Sequence, residues 1–130
     1  MSSGHLNDPA RVVRIDALTQ DHISQKLRVT GRIRLYDVKN ALVCIADEQD
    51  TLIVDISLCL SGYHSYPWLH EENAVVMAIG YLERFNEIST DDDDTPVFVL
   101  RALLIKEQRG LDLAVWNKAI ELSPTHRHPS

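Results

Sequence analysis

Little in this chain would staple it, anchor it in a lipid bilayer or charge it strongly in one sense. It has two cysteines, Cys44 and Cys59, too few for a disulfide framework, and no Cys or His pair has the spacing of a zinc site. Both cysteines stand among apolar neighbours and are expected to serve as small buried hydrophobes. The longest apolar runs, residues 74–80 and 97–100, are strand-sized and far short of the roughly 20 residues that a membrane-spanning helix needs. The polar opening of the chain lacks the apolar core of a secretory signal, so an intracellular protein with no membrane contact is expected. Positive charge is scarce as well: 13 Lys and Arg face 19 Asp and Glu, for a net charge of -6. A free-standing nucleic-acid binder normally carries a basic patch on a basic domain. Nucleic-acid contact is therefore expected to be local and weak, with a partner supplying most of the affinity. No Gly-rich phosphate loop, nucleophile elbow or set of spaced metal ligands occurs. Neither enzymatic activity, nor a cofactor, nor a metal is expected. Glu71, Glu72 and the run Asp91–Asp94 read as solvated loops, and His5, His64 and His70 are scattered.

What the chain does have is strand periodicity. From Leu27 to Tyr36, the residues Leu27, Val29, Ile33 and Leu35 alternate with Arg28, Thr30, Arg32, Arg34 and Tyr36, the period-two pattern of a half-buried strand. Gly31 interrupts the apolar face, where a bulge or tight bend helps a small barrel close. Residues 41–46 and 51–60 predict a second and a third strand. The polar turns 37–40 and 47–50 are short enough to make an antiparallel meander. Before the first strand, Asp16 or Thr19 starts a short helical turn. Residues 61–73 form a longer connection whose aromatics Tyr63, Tyr66 and Trp68 are expected to plug an end of the barrel. Residues 74–84, interrupted by Gly80, and 96–106 predict the fourth and fifth strands, and 111–122 a helix. Three meandering strands, a long connection, two further strands and a helix match an all-β OB-fold, a five-stranded Greek-key β-barrel with a C-terminal α-helix. The expected organisation is a flexible N-terminus over 1–10, the barrel and helix over 11–122, and a disordered tail over 123–130.

Two groups of residues are candidates for contact. In the helix, Asp112 is a good N-cap. At about 100° per residue, Leu113, Trp116 and Ile120 share one arc, and Val115, Ala119 and Leu122 lie beside it. The apolar surface covers roughly half the circumference, more than a small barrel is expected to bury. Leu113, Trp116 and Ile120 are the predicted outer contact, since tryptophan is a common interface anchor. The alternative is that all six pack on the barrel or the N-terminal segment. On the first strand, Arg28, Arg32 and Arg34 are predicted to share one face with Tyr36, charge for phosphates beside a ring for a base. The alternative there is a solvated outer strand face.

Three segments resemble a known family: Gly31-Arg32-Ile33-Arg34-Leu35-Tyr36-Asp37, the fourth-strand run Val75–Leu82, and Gly110-Leu111-Asp112-Leu113-Ala114-Val115-Trp116-Asn117-Lys118-Ala119-Ile120. They are similar, in order and spacing, to the small subunit of the CST telomere-capping complex, the Ten-one family, over about residues 25–122. The resemblance implies an OB-fold that pairs with a larger OB-fold subunit through the two C-terminal helices. The pair would work with a third, largest subunit on telomeric single-stranded DNA, in the nucleus. There it would help regulate telomerase and DNA polymerase α–primase. Carried onto this chain, the helix contact falls on Leu113, Trp116 and Ile120, with Val115 and Ala119 beside them. The run Asp91–Asp94 is not part of the family pattern. The alternative resemblance is to the small subunit of replication protein A, which has the same barrel and terminal helix.

Overall fold

A computed structural model describes residues 9–60, 66–85 and 97–122. Its strands are β1 (Arg11–Val12), β2 (Lys26–Asp37), β3 (Leu42–Asp47), β4 (Asp50–Asp55), β5 (Val75–Phe85) and β6 (Val97–Glu107), followed by the helix α1 (Leu113–Leu122). The order across the sheet is β1-β2-β3-β4-β6-β5, and β5 returns to pair with β2. Strands β2 to β6 therefore close a ring of five, as expected, and the two-residue β1 lies parallel to β2 outside it. β2, β3 and β4 are the antiparallel meander. β4 runs parallel to β6, with Ile53 opposite Val99, which is the Greek-key crossing that defines the OB-fold. The inward positions of all five strands meet in one apolar cluster, including Leu27, Val43, Val54, Val76 and Leu100, all fully buried. Closure leaves no long unpaired edge in the ring.

The third strand is shorter than the sequence pattern suggests. β4 stops at Asp55 because the Asp55 carboxylate accepts a hydrogen bond from the Ser57 amide at 2.9 Å, a local turn that competes with the ladder. Ile56 is then buried and Ser57–Cys59 forms a 3-10 turn. The N-terminal segment carries two such turns, Ile15–Ala17 and Gln20–His22, the second capped by Thr19. Tyr66 and Trp68 pack against the core beside buried Leu69, whereas Tyr63 lies outside the described residues, as do the run Asp91–Asp94 and the segments 1–8 and 123–130.

Two irregularities shape the wall. On β2, Ile33 pairs with Ile45 and Leu35 with Cys44, so Arg34 is an extra, bulged residue. The bulge thus falls three residues beyond Gly31. Gly31 serves close packing instead: a Cβ there would stand 3.0 Å from Ile15 Cδ1 and 3.1 Å from the Ala46 carbonyl. Between β5 and β6, Ile79 pairs with Leu104 but Gly80 with Ala102, so Leu103 is the extra residue. At Gly80 a Cβ would lie 2.1 Å from the Arg101 carbonyl oxygen. The two backbones touch because nothing stands between them.

Gly80→Ala is accordingly expected to destabilise the fold by about 3 kcal/mol, the upper end for overpacking, and Gly31→Ala by about 1 kcal/mol, because the Ile15 side chain can yield. Urea unfolding of the two variants checks the order; equal stabilities would contradict it.

Candidate protein and nucleic-acid interface

The helix begins where Asp112 accepts hydrogen bonds from the amides of Ala114 and Val115, at 3.0 and 3.3 Å, the capping role expected of it. Gly110, with φ of 84°, makes the preceding turn in a conformation that side chains disfavour. Leu113, Asn117 and Ile120 are buried. They follow an i, i+4, i+7 stripe, one face of a helix. Three polar contacts hold this face down. The Asn117 side-chain amide donates to the Asp47 carboxylate at 2.5 Å, Arg14 pairs with Glu121, and the Arg28 guanidinium carbon lies 5.7 Å from the centroid of the Trp116 ring. A cation over an indole contributes about 0.5–2 kcal/mol, depending on solvation.

The outward arc is Val115, Ala119 and Leu122, with Val115 and Leu122 64% and 67% exposed. This corrects the predicted split of the helix. Leu113 and Ile120 face the barrel, and Trp116 is half-buried beneath Arg28. Of the five residues predicted for partner contact, Val115 and Ala119 stand free at the surface, and Leu122 joins them. The reversal comes from Asn117. The carboxylate of Asp47, buried at the end of β3, needs a donor, and turning the 113/117/120 stripe inward brings Asn117 to it.

The basic face of β2 is also divided. Arg32 and Arg34 are exposed and have no ion pair among the described residues. Arg28 is half-buried and committed to Trp116. Tyr36 does not share their face. The bulge at Arg34 inverts the alternation, so Leu35 points outward, 66% exposed. Tyr36 packs toward the core, its ring 5.3 Å from that of His70. Arg32 and Arg34 open instead onto a groove of about 380 Å³ between β2 and α1, where they meet Lys118 and Glu48. Sequence periodicity alone missed Lys118, which the helix brings to these arginines, and it missed the pair Asp47–Asn117. The 113/117/120 spacing is the one signal that marks Asn117 as inward.

The opposite outer wall is different in kind. A groove of about 460 Å³ across β3, β4, β6 and β5 is lined by Leu42, Ile53, Phe85, Val97 and Val99, with Asp55, Glu83, Arg84 and Arg101 at its rim. Arg101 and Glu83 pair at 3.4 Å. OB-folds that take oligonucleotides use this wall, with stacking rings and cations. Here aliphatic side chains replace most of the rings, and the rim charges balance. Among the described residues no cluster of His, Cys, Asp and Glu could hold a metal ion, and no helix is long and apolar enough to cross a membrane.

The fold and the two faces define a class: a single OB barrel whose terminal helix is seated by one stripe and left apolar on the other. The sequence profile of the telomere-capping, CST complex subunit family matches residues 6–129, nearly the whole chain. The chain belongs to that family, which favours telomere capping over general replication. In the search of curated proteins nothing matches. Among solved structures, a chain of the Stn1–Ten1 complex of Schizosaccharomyces pombe is similar with 18% identity and a TM-score of 0.64, covering 88% of this chain and 91% of that one. The telomere-capping protein Ten1 from S. pombe has 18% identity and a TM-score of 0.62, covering 87% of this chain and 95% of that one. An OBody bound to hen egg-white lysozyme, at 14% identity and a TM-score of 0.55, covers 77% of this chain and 96% of that one. At these identities the likeness is one of fold.

Cys44 and Cys59 are half-buried free thiols. Burial raises the pKa of both; Arg34 opposes the rise at Cys44 and Asp55 adds to it at Cys59. A raised pKa leaves less thiolate at neutral pH. Both cysteines are therefore expected to react with iodoacetamide more slowly than a free peptide thiol at pH 8, Cys59 the more slowly. Alkylation at the peptide rate would contradict the described packing.

Proposed function

We propose that this chain is the small subunit of a telomere-capping complex and joins a larger OB-fold subunit helix to helix, through the outer arc of α1. The observation that carries the reading is the arc itself: Val115, Ala119 and Leu122 remain exposed on a helix already seated by its other stripe. Full burial of a Val or Leu side chain contributes about 1.5–3 kcal/mol, so a partner gains from covering them. Trp116 lies at the edge of the arc, where an aromatic anchor completes such a contact. The S. pombe neighbour is a Stn1–Ten1 complex, which supports a two-subunit assembly of this barrel. The third, largest subunit is reached through the larger partner. The site of action is the telomere in the nucleus, where the assembly regulates telomerase and polymerase α–primase. The chain contributes no catalysis of its own.

Single-stranded telomeric DNA is a secondary ligand. Arg32, Arg34 and Lys118 supply cations to one groove, while the overall charge of -6 and the aliphatic opposite wall support only an accessory contact.

Val115→Asp with Leu122→Asp is expected to lower affinity for the co-expressed larger subunit at least about tenfold, since the lost burial exceeds 1.4 kcal/mol. Because both positions are exposed, the melting temperature of the free chain stays unchanged. Wild-type affinity would remove the basis of the reading. For nucleic acid, replacing Arg32 and Arg34 by Gln is expected to flatten the slope of log affinity against log salt by about 1.4 on a telomeric oligonucleotide, the value for two phosphate contacts on a single strand. An unchanged slope would place the DNA elsewhere.

A further inference from the structure

The helix has two apolar arcs, Leu113/Trp116/Ile120 and Val115/Ala119/Leu122, whose centres lie roughly 125° apart at 100° per residue. Apolar contact is non-directional, and the buried pair Leu113 and Ile120 differs little in apolar area from the exposed pair Val115 and Leu122, so burial of these residues discriminates only weakly between the two arcs. We infer that the Asp47–Asn117 hydrogen bond is the registry latch of the small subunit: it selects which arc is buried and so presents Val115, Ala119 and Leu122 to the partner. This rests on the helix interface proposed above and names the residues that set its specificity.

The two side chains are the buried polar pair of the helix seat, Asp47 at 7% and Asn117 at 9% exposure, 2.5 Å apart. A buried carboxylate without a donor is costly, so every competing placement of the helix is penalised at this point. Rotation to the second arc carries Asn117 into solvent and turns toward Asp47 the Ala119 side chain, which has no donor, and the flank of Trp116, whose single N–H would have to leave its place beneath Arg28. A slide of one turn along the helix replaces Asn117 by the residues four positions away, Leu113 or Glu121. The first has no donor and the second is a like charge. The other two contacts are less discriminating. Arg14–Glu121 joins partly exposed groups, and Arg14 also binds Asp16 at 2.9 Å. Arg28 lies 5.7 Å from the centroid of the Trp116 ring, a broad contact that survives small shifts of the helix and so sets its register only loosely. A buried polar contact that fixes register while adding little stability has precedent as a physical device.

The test separates register from stability. In Asp47→Leu with Asn117→Leu both polar partners become apolar, an exchange that is often neutral or stabilising. The double variant is expected to melt at or above the wild-type temperature yet bind the co-expressed larger subunit more weakly, by about twofold if two seatings of the unlatched helix are equally filled, because only the native seating is competent. By NMR, the contact between the Trp116 indole and Arg28 should weaken in the same variant. Should the double variant fail to fold, the swapped pair Asp47→Asn with Asn117→Asp decides: it reforms the hydrogen bond and is expected to restore affinity lost in Asn117→Ala. Wild-type affinity in the double leucine variant, or no recovery in the swapped pair, overturns the latch. If Val115→Asp with Leu122→Asp also leaves affinity unchanged, it is the interface reading that fails.

Discussion

A ten-residue helix with apolar side chains around half its circumference can turn only part of them to the barrel. The seating of α1 on the barrel is the constraint on which the rest depends. Leu113 and Ile120 supply burial, Asn117 supplies direction through Asp47, and Glu121 and Trp116 tie the helix to Arg14 and Arg28. Once this stripe is inward, the exposure of Val115, Ala119 and Leu122 is a geometric consequence of 3.6 residues per turn. The barrel below acts as a rigid platform. Its closed ring, bulged at Arg34 and Leu103, gives the helix and the β2 arginines fixed relative positions, as a recognition surface requires.

Much of the fold was legible because strands announce themselves by alternation. The five barrel strands lie within a residue or two of the predicted ones, except where the Asp55–Ser57 hydrogen bond ends β4 early. The Greek-key order followed from the lengths of the connections. The two-residue β1 was not legible, since so short a segment has no period. The site was less readable than the fold. Alternation assigned Tyr36 to the arginine face, and one bulged residue reversed it. The inward and outward arcs of α1 look alike in composition. The 113/117/120 spacing permits Asn117 to face inward, but what selects that face is Asp47, 70 residues away in sequence.

Charge is partitioned in a way that suits a subunit rather than an independent binder. Five of the 19 acidic residues, Glu87 and Asp91–Asp94, fall in the connection between β5 and β6, while Arg32, Arg34 and Lys118 share the groove beside α1. A net charge of -6 repels a polyanion at long range, and the Debye length of about 8 Å at physiological salt confines that repulsion to near the surface. The groove itself mixes Arg14, Arg32, Arg34 and Lys118 with Asp47, Glu48 and Glu121, so its attraction for a polyanion is local and modest. Membership of a telomere-capping complex family is consistent with a chain that acts as one subunit among others.

The central claim is that the outer arc of α1 is shared with another chain while the walls of the barrel are not. Hydrogen–deuterium exchange on the free chain and on its complex with the larger subunit tests this most directly. Amides of residues 113–122 are predicted to gain strong protection in the complex, with those of β4 and β6 little changed. Equal exchange along α1 in the two states, with new protection confined to the β3–β4–β6 wall, would contradict the account.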